Sequence, residues 1–190
     1  MPLGSANLHY NYGPVTWLKF AQNTNDVGLE KSFFGVVKSY TKDDQGNIGS
    51  VKYYHNHPQL MGPLVAGWTK IFGYSLPGIR LFSLLMAVFA TGFLFWVLYR
   101  AFGLLFSALV SLVQVFVPVV FFFSKKPYQE QLVALLLVVS LLCLWRFLRE
   151  NKSSVWLVVS LVAMMQADWI GYLFAGVIVL TALLTKGISV

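Results

Sequence analysis

Long apolar blocks separated by short polar loops fill the chain from residue 76 onward. A block of about 18 or more apolar residues with few charges is long enough to cross a bilayer as a helix. One of the five blocks, Ser154–Gln166, is much too short for this, so the pattern predicts four to five transmembrane helices. In chain order the blocks are Leu76–Tyr99, Gly103–Phe123 with a bend near Pro118, Gln131–Phe147, the short Ser154–Gln166, and Trp169–Thr185.

Residues 1–75 are more polar and contain two stretches with helical periodicity. In "DVGLEKSFFGVVKSY" the apolar residues recur mainly at spacings of three and four, which predicts an amphipathic helix, and "TKDDQGN" predicts a turn after it. Pro58–Phe72 repeats the helical pattern, with Pro58 at the first helical position and Gly73 at the end. It carries Trp68 and Lys70, as a helix lying in a membrane interface does. The apolar positions of the first stretch are Leu29, Phe33, Phe34, Val37 and Tyr40.

These elements predict two regions: an exoplasmic, loop-like region with interfacial helices at residues 1–75, and a transmembrane helical bundle at residues 76–190. Composition agrees, since 57% of the residues are hydrophobic and 11% are charged, against roughly 25% charged in average soluble domains. So few charges cannot cover the surface of a soluble protein of this size. We therefore expect an all-α fold: a polytopic, integral membrane protein with four to five transmembrane helices plus amphipathic juxtamembrane helices.

The 14 Lys and Arg residues give a formal net charge of +7 and are spread along the chain without a basic stripe or a nucleic-acid-binding motif. Contact with membrane lipids or phosphates explains this charge better than a nucleic acid partner. An exoplasmic N-terminal region places five basic loop residues inside and two outside, which is the favoured orientation. The inner five are Arg100, Arg146, Arg149, Lys152 and Lys186, and the outer two are Lys125 and Lys126.

Two acidic residues and two histidines in the N-terminal region are candidates for chemistry. Asp26 and Glu30 lie one turn apart if this segment is helical. Either carboxylate can act as a general base towards a hydroxyl. Alternatively, both can occupy the first turn of a helix, where acidic groups interact favourably with the helix dipole. His55 and His57 are two residues apart, which places both side chains on the same side of an extended strand, as two metal ligands would be. The alternatives for this pair are contact with an anionic phosphate and a polar cap before a helix.

Three charged residues near the apolar blocks are further candidates. Glu130 opens the third block and suits the first turn of a helix. Asp168 interrupts apolar sequence in "MMQADWIGYLFA", where an ionisable group typically faces a polar cavity or lies at the water boundary. Arg80 can snorkel to the interface or reach a phosphate. On the predicted topology several candidates lie towards the outer side of the membrane, where we expect one water-accessible cavity. They are Glu30, His55, His57, Glu130 and Asp168.

The stretch "YYHNHPQLMGPLVAGWTKIFGYSLPGIRLFSLLMA" carries two elements, "HPQL" and "FG…RL", in that order. "EKSFFGVVKSY" precedes them, and "FFFSKKPYQEQLVALLL" and "ADWIGYLFA" follow. This order resembles that of the GT-C membrane glycosyltransferases, such as the protein O-mannosyltransferases and aminoarabinose transferases, over residues 26–186. Gln59 stands in place of the second proline of the family's "HPPL" element. The matching residues are His57, Pro58, Leu60, Phe72, Gly73, Arg80 and Leu81.

The resemblance implies the N-terminal part of an inverting glycosyltransferase. Such an enzyme transfers a hexose or pentose from a polyprenyl-phosphate donor to an acceptor at the exoplasmic face. The resemblance leaves open whether a divalent metal ion serves as a cofactor. The site residues that the resemblance implies are Asp26 or Glu30 as the general base, His57, Arg80 and His55 as phosphate-binding groups, and Glu130 and Asp168 as further acidic groups of the cavity.

Two departures from the family keep an alternative open. Residues 1–20 contain no apolar block that would precede the acidic motif, and Leu29 stands beside Glu30 where the family has an intact Asp-Glu pair. The alternative is a noncatalytic membrane subunit, or an inactive relative, that packs against the transmembrane helices of a partner. A small transporter or channel would need polar residues along several spans, and few positions here qualify.

Overall fold

A computed structural model of the chain describes residues 8–28, 30–32, 35–56, 58–117, 127–150 and 155–187. Residues 8–12 and 186–187 are described by their backbone alone. The described residues are mostly helical and form seven helices and one antiparallel pair of strands. The helices are α1 (Leu8–Val27), α2 (Met61–Phe72), α3 (Leu76–Phe102), α4 (Leu104–Phe116), α5 (Gln129–Glu150), α6 (Val155–Ala167) and α7 (Trp169–Gly187). The strands are β1 (Val37–Lys42) and β2 (Ile48–Tyr53).

The described residues fall into two compact units. Unit 1 lies within residues 1–84 and 123–128, and unit 2 within residues 85–122 and 129–190. Helices α1 and α2 and both strands belong to unit 1, and helices α4 to α7 belong to unit 2. The first nine residues of α3 belong to unit 1 and the rest of that helix to unit 2.

Helix α1 is the first element of unit 1, and the sequence pattern does not predict it. Its buried residues recur every three or four positions, which places them on one face of the helix. That face packs against α2 and β1. The stripe is short of large aliphatic side chains, and this is why the apolar pattern alone missed it. Its members are Pro14, Trp17, Ala21, Thr24 and Val27.

The helix predicted over residues 26–40 is wrong at its C-terminal half, where the chain forms β1. This strand pairs with β2 in an antiparallel hairpin in which Val37 faces Tyr53 and Tyr40 faces Val51. Val37 is fully buried, and its N–H donates to Thr24 Oγ1 at 3.2 Å. β-branched and aromatic side chains fit such a half-buried strand, so tertiary pairing outweighs the helical spacing. The other apolar positions of the predicted helix, Leu29, Phe33 and Phe34, lie outside the described residues. The expectation of an all-α fold is therefore wrong over the hairpin.

The turn predicted at "TKDDQGN" is confirmed, and Asp43 organises it. Its carboxylate accepts hydrogen bonds from Gln45 N at 3.0 Å and from Asn47 N at 2.7 Å and Nδ2 at 3.0 Å. Gly46 has a φ of +83°, which a glycine adopts at no steric cost. The bonds from Asn47 are the main reason that the pKa of Asp43 lies below its ordinary value, since they stabilise the ionised carboxylate.

We expect Asn47→Ala to raise the pKa of Asp43 towards its ordinary value. A carboxyl group with a lowered folded pKa stabilises the hairpin above its ordinary pKa, and this contribution is lost as pH falls through the folded value. A carboxyl NMR titration of Asp43 measures the change directly. Ser39→Ala, on β1 but outside the turn, is the control and should leave the titration unchanged. An unchanged Asp43 pKa in Asn47→Ala would contradict the assigned cause.

Helix α2 confirms the second predicted helix but begins three residues later than expected. Gln59 accounts for the delay, because its side chain accepts from Val36 N at 2.7 Å and donates to Tyr54 O at 2.5 Å. These bonds hold the residues before α2 against the start of the hairpin, and a proline at this position could make neither. The helix ends at Gly73, as predicted, with a φ of 80°.

Trp68 joins α2 to the start of α3. Its Nε1 donates to the carbonyl oxygen of Gly78 at 2.9 Å. Its ring stacks on Phe72 at a centroid distance of 4.0 Å and lies 5.5 Å from the ring of Phe82. Burial of aromatic surface together with a satisfied indole N–H holds the turn between the two helices in place.

The apolar blocks form α3 to α7, and the predicted bounds of α3, α5, α6 and α7 agree with the structure to within three residues. Helix α4 ends at Phe116, with Val117 extended, ahead of the predicted bend near Pro118. Pro118 and the rest of that predicted block lie outside the described residues. Helices α3 and α5 are long and apolar enough to cross a membrane by length and composition. The apolar parts of α4, α6 and α7 are shorter. Helices α5, α6 and α7 pack pairwise, and Ser140 donates to Ser160 at 3.0 Å in the buried contact between α5 and α6.

Candidate functional site

An open cavity of about 310 Å³ in unit 1 gathers charged side chains from two segments. Glu30 and Lys31 come from the turn that follows α1, and Lys70 comes from the last turn of α2. All three are exposed. One carboxylate and two ammonium groups therefore line the same cavity. Its lining consists of Asn25, Val27, Gly28, Glu30, Lys31 and Lys70.

Asn25 ties the end of α1 to α2 beneath this cavity. Its Nδ2 donates to Ala66 O at 2.9 Å and to the hydroxyl of Tyr74 at 2.7 Å, and it lies 3.4 Å from Thr69 Oγ1. A hydrogen-bonded contact of this kind is worth about 0.5–1.5 kcal/mol. These bonds hold the end of α1 against the turn of α2 that carries Lys70.

Gly28 lets the chain leave α1 in the direction of the cavity. Its φ is +89°, a conformation that only glycine adopts without strain. Its N–H donates to Thr24 O at 2.9 Å, which closes the C-terminal end of α1, and its carbonyl accepts from Ser32 N at 2.9 Å. The helix thus stops before Glu30, and the carboxylate lies in a turn rather than on a helix face.

Asp26, the other candidate base, is engaged with the hairpin. Its Oδ2 accepts a hydrogen bond from the hydroxyl of Tyr40 at 2.7 Å, and Asp26 is not among the residues that line the cavity. This hydrogen bond raises the pKa of Tyr40, because it stabilises the protonated phenol, and the nearby carboxylate charge adds to the effect. The two carboxylates therefore have separate surroundings, and only Glu30 adjoins the lysines.

The predicted phosphate-binding residues are described in part. His55 is exposed after β2, with its ring 6.1 Å from that of Tyr53. His57 lies outside the described residues, so the histidine pair stays a prediction. Arg80 is half-buried at the fifth position of α3. Across the described part of the chain, no group of three or more His, Cys, Asp and Glu side chains could hold a metal ion.

The two remaining acidic candidates belong to unit 2. Glu130 is exposed in the first turn of α5. Asp168 is buried, with 7% of its surface exposed, between α6 and α7. Its Oδ1 accepts from Ile170 N at 3.3 Å, as an acidic residue preceding a helix does. Asp26, Glu30, His55 and Arg80 belong to unit 1, and a cavity common to all of these residues stays a prediction.

Sequence reasoning missed the contributions of Lys31, Lys70 and Asn25 to this site. The sequence indicates Lys70 only as an interfacial residue, because Lys70 lies far from Glu30 along the chain and no local pattern links the two. The signal that could have located the site is the row of buried residues along α1. This row extends to Val27, so the end of α1, with Asn25, lies against α2.

No protein-family model, curated protein or solved structure matches the chain. The resemblance to the GT-C glycosyltransferases therefore rests on the order of the sequence motifs alone.

Proposed function

We propose that the chain is an integral membrane glycosyltransferase of the GT-C type, or part of one, that transfers a sugar from a polyprenyl-phosphate donor at the exoplasmic face. The observation that carries the proposal is the cavity in which Glu30 adjoins Lys31 and Lys70. Transfer from such a donor needs a base for the acceptor and cations for the phosphate. The cavity holds both kinds of group.

Membrane integration is supported by the exposed apolar faces of the long helices. Only 17% of the apolar window of α3 and 22% of that of α5 is buried. A core helix of a soluble protein would be mostly buried, and large exposed apolar faces are rare on soluble monomers. A bilayer supplies the apolar surroundings for these faces. The count of four to five spans stays a prediction, because α4 and α6, at 13 residues each, are shorter than the hydrocarbon core is thick.

Helix α2 fits a position in the membrane interface. Its buried face packs on α1, while Ile71 and Phe72 are 77% and 55% exposed beside the charged Lys70. Apolar side chains next to a lysine suit the boundary between acyl chains and headgroups. This position brings the cavity to the level at which the phosphate of a lipid-linked donor lies.

The chemistry that we propose follows from these charges. The Glu30 carboxylate takes the proton of the acceptor hydroxyl as the hydroxyl oxygen attacks the anomeric carbon of the sugar. The bond between that carbon and the phosphate oxygen breaks, and the electron pair leaves with the polyprenyl phosphate. Lys31 and Lys70 stabilise the charge on the departing phosphate, and His57 and Arg80 retain their predicted phosphate contacts. Attack opposite the leaving group inverts the anomeric centre.

The proposal predicts that the purified chain in detergent binds polyprenyl phosphate and that the double variant Lys31→Gln/Lys70→Gln binds it about tenfold more weakly. Exposed charge pairs contribute up to about 1 kcal/mol each, and 1.4 kcal/mol is a factor of ten. Lys38→Gln, an exposed lysine on β1, is the matched control variant. Polyprenol, which lacks the phosphate, is the control lipid. Equal binding of polyprenol and polyprenyl phosphate by the wild-type chain contradicts the proposal.

The second candidate function is a noncatalytic membrane subunit. The observation that favours it is an open apolar groove of about 600 Å³ along α6 and α7, with Val158, Leu161, Val179 and Leu183 among its lining residues. A groove of this kind accommodates a transmembrane helix of a partner. Failure of the wild-type chain to bind polyprenyl phosphate would favour this candidate over the transferase.

A further inference from the structure

A cleft between the C-terminal parts of α3 and α5 combines aromatic, basic and apolar side chains. Its volume is about 210 Å³, and it lies wholly within unit 2. None of its lining residues belongs to the cavity of Glu30, so it is independent of the proposed transfer. The lining residues from α3 are Trp96, Val97, Arg100 and Ala101, and those from α5 are Leu142, Trp145, Arg146 and Glu150.

Each helix contributes one tryptophan and one arginine to the cleft. On α3 the guanidinium of Arg100 lies 5.6 Å from the centre of the Trp96 ring, one turn earlier, which is a cation–π contact. On α5 the neighbours Trp145 and Arg146 are both exposed. Tryptophan and arginine at the ends of apolar helices are typical of the level where headgroups meet acyl chains. The cleft therefore has the composition of a headgroup site.

The charge of the cleft selects an anionic headgroup. Two guanidinium groups and one carboxylate leave one net positive charge, which matches the single negative charge of a phosphodiester. Guanidinium binds phosphate oxygens through two parallel N–H donors. The Glu150 carboxylate would repel a second anionic group on the headgroup.

The size of the cleft points to a headgroup rather than to a whole ligand. Its volume is below the roughly 300–1,000 Å³ of pockets that enclose drug-sized molecules. Exposed apolar side chains continue from it along both helices, with Phe93 40% exposed on α3 and Leu141 43% exposed on α5. Acyl chains lying on these faces would leave only the headgroup in the cleft.

We propose that this cleft binds a membrane phospholipid with a monoanionic headgroup, such as phosphatidylglycerol. The phosphate lies between Arg100 and Arg146. Such a lipid joins the C-terminal ends of α3 and α5 by bridging their two guanidinium groups.

The test is the binding of phosphatidylglycerol to the purified full chain in detergent, measured by native mass spectrometry. We expect Arg100→Gln/Arg146→Gln to bind at least tenfold more weakly than the wild-type chain. Arg149→Gln, an exposed arginine of α5 outside the cleft, is the matched control and should bind within twofold of the wild type. Phosphatidylcholine, with the same phosphodiester but no net charge, should bind at least fivefold more weakly than phosphatidylglycerol.

Unchanged affinity in the double variant, or equal affinity for the two lipids, would overturn the proposal. A thermal transition measured for every variant shows whether it is folded. Should the double variant lack a cooperative transition, the single variants Arg100→Gln and Arg146→Gln decide the question. Each is expected to bind about threefold more weakly, and a wild-type affinity in both would equally overturn the proposal.

Discussion

Glu30→Gln is expected to lower the rate of sugar transfer by about 10²–10⁴-fold, the usual contribution of a general base. The amide keeps the size of the side chain but cannot accept the proton of the acceptor hydroxyl. Donor binding should change little, because the lysines that hold the phosphate remain. The measurement is release of polyprenyl phosphate by the purified chain from a panel of polyprenyl-phosphate sugars, together with donor affinity.

Asp26→Asn is the matched control for this experiment. Asp26 accepts a hydrogen bond from Tyr40 and does not line the cavity, so its replacement should alter the rate by less than about threefold. A Glu30→Gln variant that keeps more than a tenth of the wild-type rate would exclude Glu30 as the base. A large loss in Asp26→Asn alone would transfer the role to Asp26, the other candidate that the sequence motifs indicate.

Gly171→Ala is expected to destabilise the packing of α6 against α7 more than most single substitutions do. A Cβ at this position would overlap the carbonyl oxygen of Met164 and lie 2.7 Å from its carbonyl carbon. Both are backbone atoms, so no side-chain rotation relieves the overlap. Overpacking costs about 1–3 kcal/mol, and 1 kcal/mol corresponds to roughly 2–4 °C for a protein of this size. We therefore expect Tm to fall by about 5–10 °C.

Gly176→Ala provides the comparison within the same helix. No atom lies within 4 Å of a Cβ placed there, and alanine favours the helix by up to about 1 kcal/mol relative to glycine. The variant should melt at or slightly above the wild-type temperature when both are followed by size-exclusion chromatography after heating. A Gly171→Ala protein that melts within about 2 °C of Gly176→Ala would show that α6 and α7 do not approach this closely.

The failure of the helix prediction at residues 37–40 has a clear physical origin. The spacing of Val37 and Tyr40 fits a helix, but both residues also have high strand propensity. Pairing with Tyr53 and Val51, and the hydrogen bond from Val37 N to Thr24, favour the strand. Short segments with mixed propensities take the structure that their tertiary partners stabilise.

The existence of helices α3 to α7 was determined by the sequence itself, because apolar runs of more than ten residues bounded by polar segments favour a helix over a strand. The sequence likewise determined the end of α2 at Gly73 and the turn at Asp43. Both depend on local backbone conformation and short-range hydrogen bonds. Only the tertiary structure decided that Glu30 and Lys70 line one cavity, since this depends on the packing of α1 against α2. Contacts between residues so far apart in the chain follow from the packing of whole helix faces, which no local pattern specifies.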